Sequence, residues 1–249
     1  MKTTHFFVGP GRSGTSWLFD SMALTGQVWV PSIKEPSFFD LHFERGLTWY
    51  DHFYVDFHGP QAPLARVDFS NLYYLSDLAI QRILDYNPQA CVVFISRNHR
   101  DLFRSMLYFE LRKGRSDEEI EQVAAAKYKD SDCAMHVAHL RELAGDRLVV
   151  IDFAWIERRD LSRIYTELGL PGLHLVEGQI TNAHMVPRLR WLGRLAKWAA
   201  LWLRRHEMFG LLQRLKRSKK IRQMFFLEGE AMRLHAPIEA MVKAYFPKS

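Results

Sequence analysis

Short unbroken apolar runs alternate along this chain with stretches of helical period. His5-Phe6-Phe7-Val8, followed by Gly9-Pro10-Gly11, reads as a buried strand ending in a glycine-rich turn. Thr15 to Leu24 has helical spacing and turns Trp17, Leu18 and Met22 to one side. Gln27 to Val30 is a second candidate strand. Cys91 to Ile95 and Leu148 to Phe153 are continuous and rich in β-branched residues, as strands buried on both faces of a parallel sheet are. Leu75 to Asp85 (stopped by Asn87-Pro88), Asp101 to Lys113, Asp117 to Leu143 and Asp160 to Leu168 (closed by Gly169 and Pro171) read as helices. Residues 34 to 75, rich in aromatics, glycine and proline, read as loops and short helices. This alternation predicts an α/β fold, a single domain over residues 1–249 with a central parallel β-sheet flanked by helices.

Composition narrows the class without changing it. At 249 residues, 48% hydrophobic and 25% charged, the chain is an ordinary globular protein, which excludes a disordered, collagen-like or disulfide-scaffold protein. Cys91 and Cys133 form no metal motif, and a reducing compartment is the simpler setting. Only three apolar residues precede Gly9 after the polar start, too few for a signal peptide, and no run approaches the length that crosses a bilayer. A cytoplasmic protein is the expectation. Net charge is +6, but residues 188–222 hold twelve Lys/Arg against Glu207, a local +11, so the rest of the chain carries −5. That is one basic feature, not a surface coated for nucleic acid, and no nucleic-acid partner is expected.

The stretch with candidate chemistry is Gly9-Pro10-Gly11-Arg12-Ser13-Gly14-Thr15-Ser16-Trp17-Leu18, between the first strand and the first helix. Backbone N–H groups in such a turn, together with a helix N-terminus, bind anions. Ser13, Thr15 and Ser16 add hydroxyls, and Arg12 adds a fixed cationic fork. Gly9, Gly14 and Ser16 overlay the P-loop pattern G-x-x-x-x-G-K-[ST], with Thr15 where its lysine would stand. Ordinary ATP or GTP hydrolysis is therefore a poor fit. The bland reading is a tight turn whose glycines serve backbone geometry alone.

Arg-Ser-Gly-Thr-Ser-Trp-Leu after a short apolar strand resembles the P-loop-like phosphosulfate loop of sulfotransferases, the bacterial ones related to the heparan type. That family uses 3′-phosphoadenosine 5′-phosphosulfate (PAPS) as co-substrate and needs no metal. The resemblance implies that Arg12, Ser13, Gly14, Thr15, Ser16 and Trp17 bind the donor, with Arg12 at the 5′-phosphate and the transferring sulfuryl group. It implies that Arg97, after the run Val92 to Ser96, and Ser105, eight residues on, hold the 3′-phosphate. Lys34-Glu35-Pro36-Ser37-Phe38-Phe39 resembles the family's Lys-Glu-Pro-x-Phe-Phe segment, which makes Glu35 the candidate general base. An acceptor hydroxyl must lose its proton as it attacks sulfur, and burial beside Phe38 and Phe39 would tune Glu35 for that task, with Lys34 opposing. Arg66 to Tyr73 occupies the place of a Glu-Lys-[Ser/Thr]-Pro-x-Tyr stretch, with Phe69 at its lysine, so Arg12 acts alone or Lys34 or Arg66 substitutes. Arg188, in a Pro-Arg pair before a basic helix, would close over the donor's phosphates.

Arg190 to Arg205 has helical order with three features: a basic face, a border of Trp191, Trp198 and Trp202, and a back of Leu192, Leu195, Ala199 and Leu203. An interfacial membrane helix shows this arrangement, and so does a domain helix packing its leucines inward with solvated arginines. In the first case residues 188–222 give a peripheral membrane contact, placing the protein at the membrane surface with an acceptor on a lipid or glycan. The function implied is sulfuryl transfer from PAPS to an acceptor hydroxyl. The alternatives are a P-loop-type nucleotide-dependent kinase and an inactive, membrane-docking nucleotide-binding protein.

Overall fold

The computed structural model describes residues 1–54, 57, 59–178, 185–187, 190–206, 208, 211, 215, 218, 226–228 and 235–247. The chain divides into two compact units, Met1–Asn98 with Asp132–Thr181, and His99–Ser131 with Asn182–Ser249.

The first unit is built on a five-stranded, all-parallel sheet: β1 (His5–Gly9), β2 (Val28–Trp29), β3 (Ala65–Phe69), β4 (Cys91–Ser96) and β5 (Leu148–Asp152), in the order β2-β3-β1-β4-β5. The α/β class with a parallel central sheet thus holds. Alternate side chains serve opposite faces, which is why the strands are apolar throughout. Phe7, Val93, Ile95 and Ile151 meet Trp17, Leu18 and Met22 of α1 (Thr15–Leu24) and Leu161, Ile164 and Tyr165 of a later helix, Leu161–Glu167. On the other face Phe6 lies edge-on to Phe39 at 5.4 Å and to Tyr86 at 6.3 Å, and Phe94 meets Tyr74 at 5.7 Å.

Two expectations are corrected. Residues 65–69, expected as loop, form β3, the strand between β2 and β1. Arg66 and Asp68 disguise its apolar pattern, yet both are buried. The Arg66 guanidinium sits 3.6 Å from the Tyr54 ring centroid and donates to Asp51 Oδ1 and the Met1 carbonyl. The single helix expected over 117–143 is two, Asp117–Asp130 and Cys133–Ala144, because the Asp132 side chain accepts from Met135 N–H and starts a new helix.

In the second unit, the helix His99–Arg112, the helix Asp117–Asp130 and the C-terminal helix Ala236–Tyr245 share a small core of Phe103, Leu107, Ile120, Ala124, Ile238 and Val242. Helix Asp117–Asp130 opens with a capping box between Ser116 and Glu119. Helix Arg190–Arg205 spans the residues its periodicity predicts.

Candidate active site

The strand order decides where a ligand can sit. From β1 the chain runs by α1 to β2 on one side of the sheet, whereas β4 leads to β5 on the other. The connections therefore diverge between the adjacent strands β1 and β4, and the carboxyl ends at such a switch point are the usual ligand site of open parallel sheets. The loop after β1 and Arg97, directly after β4, both lie there.

The loop is tightly held. Gly9 has φ +154°, and a Cβ on it would stand 2.3 Å from Tyr74 Cδ1 and 2.8 Å from the Asn71 carbonyl oxygen. Gly14, at φ +76°, would drive a Cβ to 2.3 Å from Ile156 Cγ2. Arg12 takes a left-handed φ of +70° without being glycine, a strained conformation of the sort that gathers at functional sites. At the start of α1 no side chain caps the first amides and no acid stands in the first turn. Ser13 Oγ is fully buried and has no hydrogen-bond partner among the described residues. A backbone turn, an uncapped helix start, an orphaned hydroxyl and Arg12 together suit a phosphate- or sulfate-like anion. Thr15 is buried and Ser16 half-buried at that helix start. Trp17 packs its side chain in the core cluster and leaves only its backbone amide, in the first turn of α1, toward the loop.

Arg97 joins the loop directly. Its Nη1 donates to the Arg12 carbonyl at 2.6 Å, and its guanidinium lies 4.2 Å from the Phe153 ring centroid. The Arg97 backbone N–H points to Cys133 Sγ at 3.4 Å. One end of this side chain is thus a strut under the turn that carries Arg12. Ser105 belongs to the helix His99–Arg112 in the second unit, and Arg188 lies outside the described residues.

Glu35 also reaches the loop, through a residue that sequence reasoning missed. Glu35 Oε1 accepts from Asn71 Nδ2 at 2.7 Å and from Lys34 Nζ at 3.1 Å. Asn71 Nδ2 in turn lies 3.8 Å from the point where a Cβ on Gly11 would stand. Glu35, Asn71 and the glycine loop are therefore neighbours. The desolvation expected for Glu35 is not found: Phe38 and Phe39 turn into the aromatic core against Tyr50, while the Glu35 side chain keeps 37% exposure. Of the cations offered as substitutes for the family's lysine, Lys34 is at the site and Arg66 is committed to Asp51 and Met1. Phe69 stacks flat on Phe7, centroids 3.9 Å apart, inside the core.

Beneath Glu35 lies a second missed feature. Glu35 and Ser37 both adopt left-handed backbone, at φ +64° and +51°. The segment is pinned to the end of β3: Glu35 N–H donates to the Phe69 carbonyl at 3.0 Å and Ser37 N–H to Ser70 Oγ at 3.1 Å. Ser70 Oγ donates to Asp68 Oδ1 at 2.7 Å, and Tyr50 OH donates to Asp68 Oδ2 at 2.9 Å. Tyr73 OH accepts from Phe39 N–H at 3.2 Å and points to the same carboxylate oxygen at 3.4 Å. Burial pushes the Asp68 carboxyl up to about 6, against those hydroxyl donors. Asp68 is thus the buried anchor of the Glu35 segment. Among the described residues no three His, Cys, Asp or Glu side chains converge as a metal site.

No family model matches the chain, and no curated relative matches it. Solved structures do. A sulfotransferase from Alicyclobacillus acidocaldarius aligns over 100% of this chain and 97% of its own, at 17% identity and TM-score 0.57. A sulfotransferase domain from the curacin biosynthetic pathway aligns over 69% of this chain and 75% of its own, at 13% identity and TM-score 0.48. The likeness to the first of these extends along the whole chain, and the resemblance read from the glycine loop and its strands is met by a shared architecture: the chain has a sulfotransferase fold.

Proposed function

We propose that the protein is a sulfotransferase that moves a sulfuryl group from PAPS to an acceptor hydroxyl. The observation that carries this reading is the anion cradle at the end of β1, with its left-handed Arg12, uncapped helix start and orphaned Ser13 hydroxyl, set beside a carboxylate. The sulfotransferase fold supports it. In the reaction, the acceptor oxygen bonds to sulfur as its proton passes to the Glu35 carboxylate. The bond from sulfur to the bridging phosphate oxygen breaks, and adenosine 3′,5′-bisphosphate leaves with that electron pair. Arg12 and the backbone amides of residues 13–16 stabilise the negative charge that builds on the transferring group and the leaving phosphate. Lys34 and Asn71 orient Glu35 by donating to the same oxygen, Oε1. Arg97 steadies the loop through the Arg12 carbonyl, and its guanidinium is the group assigned to the 3′-phosphate.

The test is a transfer assay on lipid and glycan extracts with label supplied either in the sulfuryl group of PAPS or in the γ-phosphate of ATP. The account predicts product labelled from PAPS alone; product labelled from ATP alone identifies a kinase and contradicts it. Glu35→Gln should lower turnover about 100-fold or more with donor affinity nearly unchanged, on general-base magnitudes. Unchanged turnover would remove Glu35 from the mechanism.

A further inference from the structure

Helix Arg190–Arg205 leaves its aromatic side uncovered. Trp191, Trp198 and Trp202 are 59%, 64% and 44% exposed, and Leu195 and Leu201 beside them are also exposed, whereas Leu203 is buried. At about 100° per residue, those five exposed residues and the exposed Arg194 and Lys197 fall on one half of the helix, with the tryptophans clustered and the cations along one border. Leu203 thus faces inward, while the three tryptophans, Leu195 and Leu201 face outward.

Along that border runs a cleft of about 440 Å³, lined by Lys113, Arg115, Glu119, Arg194, Lys197 and Trp198, among others. Its charges are unbalanced. Lys113 and Arg115 share one carboxylate, Glu110, at 2.5 and 3.2 Å, and Arg194 pairs with Glu119 at 2.8 Å. Four cations therefore face two carboxylates, a surplus of two. Burial pushes the Lys113 ammonium down; its Glu110 partner opposes that shift, and the neighbouring Lys127 and Lys197 add to it.

We infer that this face docks on an anionic phospholipid bilayer, with a lipid phosphate in the Lys113–Arg115–Arg194–Lys197 cleft and Trp191, Trp198 and Trp202 at the level of the headgroups. Tryptophan settles at that depth because its ring is apolar and its N–H is polar, and basic side chains gain from the negative surface potential. No helix among the described residues is long and apolar enough to cross a membrane, so the contact is a surface one. The inference is independent of the donor reading, since it concerns the second unit and needs no sulfuryl transfer.

The experiment is co-sedimentation of the full chain with phosphatidylcholine vesicles, with and without phosphatidylglycerol. It is run beside quenching of tryptophan emission by lipids brominated in their acyl chains. Binding and quenching are expected only with phosphatidylglycerol, and to fall as salt rises. At about fivefold per basic residue near an anionic surface, Arg194→Gln with Lys197→Gln should weaken binding about 30-fold. Trp191→Ala with Trp198→Ala should also weaken it, while far-ultraviolet circular dichroism stays unchanged because these residues are exposed. Equal binding to both vesicle types, binding indifferent to either pair of substitutions, or no binding at all would overturn the inference. So would tight binding of inorganic phosphate without vesicle binding, or of a single-stranded oligonucleotide that displaces vesicles and survives the tryptophan substitutions.

Discussion

Replacing Asp68 with asparagine tests the anchor beneath Glu35 through its charge. The carboxyl is fully buried on β3, and burial raises it from an ordinary 3.8 to about 6. An acid raised on folding binds protons more tightly in the native state than in the unfolded chain. Its contribution to stability is therefore complete below about pH 3.8 and is lost as pH climbs through about 6. A displacement of about two pH decades, at roughly 1.4 kcal/mol each, makes that loss about 3 kcal/mol. Asparagine cannot ionise, so Asp68→Asn lacks this loss, whatever constant cost its altered hydrogen bonds to Ser70 and Tyr50 impose. Urea unfolding of both proteins from pH 4 to 7.5 isolates the effect, because titrations elsewhere cancel in the difference. Relative to the wild type, the variant should gain about 2.5 kcal/mol from the acid to the neutral end, because at pH 4 the wild type has already lost about 0.5 kcal/mol. A difference that stays flat with pH would refute the reasoning, since it would mean that Tyr50, Ser70 and Tyr73 fully compensate the buried charge.

Other consequences follow from the same geometry. Gly14→Ala places a methyl 2.3 Å from Ile156 at φ +76° and should destabilise by about 2 kcal/mol, a melting temperature lower by roughly 4–8 °C in calorimetry. Ser13→Ala removes a buried hydroxyl with no described partner, so stability should hold or rise by up to about 1 kcal/mol while nucleotide binding weakens roughly tenfold. A large stability loss would show instead that the hydroxyl is structural. Asn71→Ala removes the 2.7 Å donor to Glu35, and steady-state kinetics should show turnover down roughly tenfold with the donor's KM unmoved.

Much of the first unit was legible because its strands announce themselves. β1, β4 and β5 are unbroken apolar runs, and α1 begins where a left-handed glycine must end the turn. β3 was hidden because Arg66 and Asp68 interrupt its pattern, and their neutralising partners, the Tyr54 ring, Asp51, Ser70 and Tyr50, come from elsewhere in the chain. The same concealment explains what was missed at the site. Asn71 and Asp68 act from the end of that strand, and only tertiary structure brings Asn71 to both Gly11 and Glu35. Local patterns showed the glycine loop and placed Arg97 at a strand end, but they could not show that Arg97 braces the Arg12 carbonyl. Nor could they show that Phe38 and Phe39 turn away from Glu35. The break at Ser131-Asp132 left a signal, since an Asp followed by an apolar period is a helix start, and it was overrun by the periodicity on either side.

The central claim is that the turn from Gly9 to Ser16 receives a sulfated adenine nucleotide. Isothermal titration calorimetry with adenosine 3′,5′-bisphosphate, on the wild type and on Ser13→Ala, tests it most directly. The account predicts saturable one-to-one binding that the substitution weakens without unfolding the protein. No heat from the wild type, or binding indifferent to the loop, would contradict it.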